Sequence, residues 1–295
     1  MAAPFRFASD FLTKLEYLSL VSRRVFHGTL LAQRRTARSG AGVEFAEHRP
    51  YTASEDFRYL DWNIYARHGQ LLVKRFQEEQ DLHVYILLDA SRSMGLGDAP
   101  KFDYARRVAA ALAYIALADL DSVAVTAFSQ SLTADFPLTR GKGTVLNLLR
   151  FLERLSPDGG TTDLGASLTA FVRRAPRRGL AIVVSDWLDP AGFQPGLDVL
   201  RHGGFEVQAV QVFDPGEADP QVRGDMELVN VETDAHRRVT VTERSLRMYR
   251  ELFDGFCKGL SGYCRQYGIG CSQTSTAVPF EEFVLQMMRT AGATR

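Results

Sequence analysis

The sequence predicts an α/β protein: a doubly wound, mostly parallel sheet with helices on both faces, preceded by a small β-rich N-terminal extension. Three observations carry this expectation. After residue 80, apolar runs of strand length alternate with longer segments of helical periodicity. Two of those runs end abruptly on an aspartate, at the carboxyl edge where open α/β sheets gather ligands. Before residue 80 the pattern changes to alternation at period two, broken by polar turns. The expected division is therefore 1–80, a helical N-terminus plus the β-rich extension, and 81–295, the α/β domain.

Taken in order, residues 11–31 show helical spacing of apolar side chains, followed by the basic, turn-rich RRTARSGAG. The next stretch, VEFAEHRPYTASEDFRYLDWNIYARHGQLLVKRFQEEQ, alternates at either end with polar turns between, which reads as β structure. Strands are predicted over 82–88, 122–128, 180–185 and 206–213, and helices over 101–118, 144–155, 164–175 and about 191–203. Strands separated by helices run parallel and need cover on both faces. A long helix over about 243–267 and a last one near 280–290 bracket a candidate edge strand at 270–276.

Composition narrows the function. A hydrophobic fraction of 45% over 295 residues is ample for a buried core. Lys+Arg and Asp+Glu are 35 each, so there is no global basic field of the kind that binds nucleic acid. Residues 1–43 do hold seven basic side chains against two acidic, either a solvated arm or a surface for an acidic partner. The longest apolar stretch, 108–118, is far short of the roughly twenty residues of a membrane span. The N-terminus lacks an apolar core with a small-residue cleavage site, so the expected location is cytoplasmic. Cys257, Cys264 and Cys271 recur at sevens, a packing pattern, and neither their number nor their spacing suits a disulfide framework or a zinc site.

The chemistry concentrates in LHVYILLDASRSMG, residues 82–95, where an apolar strand delivers Asp89, Ser91 and Ser93 on one loop. Carboxylate and hydroxyl oxygens, with no Cys or His beside them, suit Mg²⁺ or Mn²⁺. This D-x-S-x-S after a buried strand resembles the metal-ion-dependent adhesion site of von Willebrand factor A domains. The resemblance implies a von Willebrand A-like fold and two further ligands from later loops, a Thr and an Asp. GGTTDLGASL supplies Thr161 or Thr162: direct succession to Gly-Gly favours Thr161, the spacing to Leu168 favours Thr162, and both stay open. LAIVVSDW supplies Asp186 at the end of a second apolar strand. In the resembling sites one coordination position is left for an Asp or Glu of a partner protein. Met94, Leu96 and Trp187 are the expected apolar rim, with an inward-packed Trp187 as the alternative. Because the loop reads as lying outside the core, Asp89→Ala is expected to leave the fold intact.

A second resemblance covers the segment before the α/β domain. G-x-E-F-A-E-x-R-P-Y from Gly42, S-E-D-x-R-x-x-D-W from Ser54 and A-R-x-G-x-L-x-V-K from Ala66 resemble the signature of bacterial "domain of unknown function 58" proteins. These carry a von Willebrand A-like domain directly after such a segment, and many are encoded beside MoxR-type AAA+ ATPases. Some members have membrane helices ahead of the signature; this chain shows none, so tethering is not carried over. Within the signature, Glu47, Arg49, Asp56, Arg58, Asp61 and Arg67 read as a charge network with Tyr51 and Trp62 as packing anchors, or else as a partner-binding surface.

Catalytic parts are missing from the pattern. An aspartyl phosphatase needs a second acid two residues after its nucleophile, and Ser91 stands there. No G-x-S-x-G, G-x-x-x-x-G-K-[ST], H-E-x-x-H or G-x-G-x-x-G occurs. The expectation is a non-catalytic, divalent-metal-dependent interaction module, an adaptor or co-chaperone of a MoxR-type ATPase, with a Mg²⁺-dependent hydrolase of a phosphate substrate as the alternative.

Overall fold

The computed structural model describes residues 5–26, 37–38, 44–52, 57–77, 82–97, 100–157 and 160–293. Two compact units divide the chain, Arg23–Asp81 on one side and Met1–Ser22 with Leu82–Arg295 on the other. The first helix, α1 (Phe11–Phe26), thus begins in the larger unit, and the grouping of residues 1–22 with the extension is corrected. The reason is apolar burial at helical spacing: Phe11, Leu15 and Leu18 are buried in one cluster with Phe280 and Phe283 of the last helix.

The smaller unit holds β1 (Ala37–Arg38), β2 (Glu44–Pro50), α2 (Trp62–His68) and β3 (Leu72–Gln77), with the strands in an antiparallel sheet of order β1-β3-β2. Asp61 caps α2: its Oδ1 accepts from the backbone of Asn63 at 3.0 Å and Ile64 at 3.2 Å, while Oδ2 meets His48 Nε2 at 3.0 Å. Gly69, at φ +68°, ends the helix in the left-handed conformation that a side chain resists. Trp62 is 60% exposed, so it is no buried anchor, and its ring stands 6.2 Å from that of Tyr65, which is also exposed. Gly42, Asp56 and the side chains of Glu47 and Arg49 lie outside the described residues.

The larger unit runs β4 (His83–Asp89), α3 (Lys101–Ala118), β5 (Ser122–Phe128), β6 (Leu132–Arg140), α4 (Val145–Arg154), α5 (Leu164–Arg174), β7 (Leu180–Ser185), α6 (Gln194–His202), β8 (Glu206–Phe213), α7 (Pro215–Ala218), β9 (Gly224–Val229), β10 (His236–Val241), α8 (Glu243–Gln266), β11 (Gly270–Ser275) and α9 (Phe280–Ala293). Its six-stranded sheet has the order β11-β8-β7-β4-β5-β6 and is parallel except at β6. This is the mixed α/β fold expected, a mostly parallel sheet flanked by helices. Alternation along the strands makes the two faces: Val84, Ile86 and Leu88 join the cluster under α1, α3, α4 and α9, and Tyr85 and Leu87 join the one under α5, α6 and α8. Among the described residues no helix is long and apolar enough to cross a membrane.

Four elements of this unit, β6, α7, β9 and β10, escape the sequence pattern, as does the helix α2 in the segment read as β structure. Strand β6 is an antiparallel edge that contains Pro137, and its register with β5 shifts between the pairs Val123–Thr139 and Val125–Phe136. An edge with a local bulge is where a sheet tolerates a residue lacking an N–H. The hairpin β9–β10 forms a separate two-stranded sheet with mostly exposed side chains.

Candidate functional site

The chain passes from β4 to β5 on one side of the sheet and later returns to place β7 on the other, so the carboxyl ends of β4 and β7 flank the crevice where the winding reverses. Register sets Leu88 opposite Val184, and the next residues, Asp89 and Ser185, meet side chain to side chain, with the Ser185 hydroxyl donating to Asp89 Oδ2 at 2.5 Å. Asp89 Oδ1 accepts from the Ser91 backbone at 2.9 Å, which shapes the loop. Ser91 and Ser93 hydroxyls lie 3.1 Å apart, and Ser93 donates to Asp186 Oδ2 at 2.9 Å. Asp89, Ser91, Ser93 and Asp186 therefore form one continuous oxygen cluster.

The third loop comes between them. Gly160, at φ +80°, offers its carbonyl to the Arg92 N–H at 3.1 Å, and the Asp163 N–H bonds the Ser129 carbonyl at 3.1 Å. These contacts pin 160–163 between the loops after β4 and β5. Thr162 is buried and its hydroxyl donates to Glu232 at 3.3 Å, whereas the Thr161 hydroxyl accepts from the Gln130 amide on the outside. Of the two threonines, Thr162 faces the cluster. Gly159 lies outside the described residues.

Four participants were not singled out from the sequence: Lys101, Ser185, Glu217 and Glu232. Lys101 opens α3 with its side chain fully buried, and its ammonium bonds Asp186 Oδ2 at 2.7 Å and also Glu217. Glu217 sits in a capping box on α7, where its other oxygen accepts from the Asp214 N–H at 3.0 Å. That D-P-G-E capping pattern right after a strand is the one local signal that could have flagged Glu217. Glu232 comes from the turn of the β9–β10 hairpin.

The rim differs from expectation. Met94 is fully buried in the core beneath the loop, so it is not a surface contact. Trp187 packs inward as well: the residue takes φ +66°, its N–H bonds the Ser185 hydroxyl at 2.9 Å, and its indole Nε1 donates to the Val210 carbonyl at 3.1 Å. A left-handed backbone at a bulky residue turns the indole into the core directly after Asp186. Leu96 is 42% exposed, and Leu188, whose N–H bonds Asp186 Oδ1 at 3.1 Å, is 44% exposed. Among the described residues, those two are the large apolar side chains that the loops after β4 and β7 expose.

Charge is unbalanced at this place. Asp186 and Glu217 bond the Lys101 ammonium directly, while Asp89 accepts from the Ser185 hydroxyl and Glu232 from that of Thr162, so four carboxyl groups gather around one ammonium among the described residues. Burial, with the Asp186 charge beside it, pushes the Asp89 carboxyl from its ordinary 3.8 up to about 7. For Lys101 burial works to lower the pKa, and the Asp186 and Glu217 carboxylates outweigh it and leave it raised. Burial also raises Glu232, with the Asp186 charge adding and hydrogen bonds from Thr162 and Ser93 opposing. Among the described residues no three His, Cys, Asp or Glu side chains group as a metal cage. The donor set instead fits a hard cation through hydroxyls backed by carboxylates in excess of the local positive charge.

The Asp89 shift has a consequence for stability. Between the unfolded value of 3.8 and the folded value of about 7 the native state holds more protons than the unfolded chain, so this group's contribution falls as pH rises through that window. In chelator, Asp89→Asn is therefore expected to gain stability relative to the parent as pH goes from 4 to 7. Urea melts at each pH measure the difference. A difference that stays constant across the window contradicts the assignment of a strained carboxylate here.

A family profile described as "Protein of unknown function DUF58" matches residues 47–252. "Uncharacterized protein Rv1480" of Mycobacterium tuberculosis is 27% identical over 233 residues, covering 77% of this chain and 73% of the relative. Among solved structures, the conserved hypothetical protein BatB from Bacteroides thetaiotaomicron is 17% identical with a TM-score of 0.44, covering 71% of this chain and 97% of that one. An aerotolerance-related membrane protein from Bacteroides fragilis is 17% identical with a TM-score of 0.45, covering 71% and 99%.

Proposed function

From the premise that this chain belongs to the DUF58 family, we propose that it is a non-catalytic, divalent-cation-dependent protein-interaction module whose partner is a MoxR-type AAA+ ATPase. The observation that carries the reading is the oxygen cluster at the winding reversal: hydroxyls of Ser91, Ser93 and Thr162 beside carboxylates in excess of the one ammonium. Ser91, Ser93 and Thr162 would hold Mg²⁺ or Mn²⁺, with Asp89 and Asp186 balancing its charge and orienting the hydroxyls. Bound there, the ion supplies positive charge that neutral hydroxyls do not cancel, and an acidic side chain of another protein can approach it.

The candidate ligands are three hydroxyls, whereas hydrolytic Mg²⁺ sites use several direct carboxylates or a two-metal pair. This favours the interaction reading over phosphate hydrolysis. Leu96 and Leu188 supply the apolar rim that a single ion contact needs around it to be specific. The ATPase as partner follows from the family resemblance.

Capture of a purified MoxR-type ATPase tests this. Retention is expected in Mg²⁺, loss with EDTA, and at least about tenfold weaker retention by Ser93→Ala with Mg²⁺ present, equivalent to about 1.4 kcal/mol. The serine variant separates this site from the ATPase's own metal requirement. Leu96→Ala and Leu188→Ala are expected to weaken capture without changing metal affinity. Equal capture by the parent and Ser93→Ala overturns the reading.

A further inference from the structure

We propose that Glu232, at the turn of the β9–β10 hairpin, is an internal carboxylate ligand that fills the position a partner's acidic side chain would take, so the hairpin holds the site closed until it is displaced. The inference deepens the functional reading above and rests on it. Its observation is a contact across 70 residues: the Thr162 hydroxyl, one of the three proposed ligands, donates to Glu232 at 3.3 Å. The carboxylate is half-buried there although the flanking strands are mostly exposed.

The turn is built to present it. Asn230 Oδ1 accepts from the N–H groups of Glu232 at 2.9 Å and Thr233 at 3.0 Å, and the Asp234 N–H bonds the Asn230 carbonyl at 2.8 Å. Asp234, at φ +54°, then meets the Arg92 guanidinium at 3.7 Å, next to Ser93 in the loop after β4. Two contacts thus tie the turn to two of the three site loops. Both are weak, one long hydrogen bond and one exposed ion pair. A two-stranded hairpin with little apolar burial is also the kind of element that opens at low cost. Because Glu232 is on the same chain, it competes at an effective concentration that a free partner does not reach. A partner therefore needs further contacts, such as the Leu96 and Leu188 rim, to displace it.

Water-proton relaxation with Mn²⁺ as the probe, on the full chain, tests the inference. Parent, Glu232→Ala and the shape-conserving Glu232→Gln are compared, with circular dichroism confirming the fold. The expected result is Mn²⁺ binding by all three, with relaxation enhancement in both variants higher by the increment of one added bound water. Acetate, added as a minimal carboxylate, is expected to lower the enhancement in the variants to the parent's level by displacing that water, and to leave the parent unchanged, where a carboxylate already holds the position. Equal enhancement and equal acetate response across the three proteins overturn the role of Glu232 while leaving the metal reading standing. Failure of all three to bind Mn²⁺ overturns the functional reading and this inference with it.

Discussion

Lys101→Met is expected to destabilise the protein by about 3–5 kcal/mol, the cost of removing one member of a buried ion pair and leaving its partner charged. The ammonium of Lys101 is wholly inaccessible, and so is the Asp186 side chain it bonds at 2.7 Å. Methionine fills much the same volume, so the loss is electrostatic rather than a cavity. Asp186 keeps its Ser93 and Leu188 partners, but these are dipoles and do not replace a full charge. Glu217 is less affected because its side chain is partly exposed. For a domain of this size the loss corresponds to a drop in melting temperature on the order of 10 °C. The double variant Lys101→Met/Asp186→Asn is expected to recover part of it, since the unpaired charge goes with its partner. A single variant within 1 kcal/mol of the parent contradicts the account of this pair.

The fold was legible because its signal is local and repeated. Each parallel strand of β4, β5, β7 and β8 is an apolar run of the right length, and the helices between them announce the crossover. Asp89 and Asp186 were legible for the same reason, each being the first acidic residue after a buried run. What stayed hidden depends on distance. A lysine at a helix start reads as solvated; Lys101 is buried because Asp186 and Glu217, 85 and 116 residues away in sequence, meet there. The hairpin strands GDMELV and HRRVTV are too polar to register as strands, so Glu232 had no visible address. Met94 looked like a loop residue and turned out to be core, and Trp187 takes the inward packing that was its alternative. Their direction follows from the tight turn after Ser91 and the left-handed backbone at Trp187, neither of which hydropathy records.

Asp89 itself was misjudged in one respect. The expectation that Asp89→Ala leaves the fold untouched treats the residue as peripheral, yet it is fully buried and accepts hydrogen bonds from Ser185 and Ser91. Alanine would strand both donors, at about 1–3 kcal/mol each. Asp89→Asn is the cleaner probe, because the amide keeps the shape and a carbonyl acceptor while removing the charge. Its expected effect on cation binding is complete loss, since the remaining Asp186 is already paired with Lys101 and the hydroxyls do not offset desolvation of a divalent ion. The parent is expected to be stabilised by Mg²⁺ according to mass action, by about 2.7 kcal/mol at a hundredfold excess over the dissociation constant. Asp89→Asn is expected to show no such gain.

Titration calorimetry of Mg²⁺ and Mn²⁺ into the chelator-treated parent and Asp89→Asn tests the oxygen cluster as a cation site most directly. The account predicts one saturable site in the parent for either ion and none in the variant, with both proteins folded by circular dichroism. Equal affinity in the two proteins, or no binding by the parent, would contradict it.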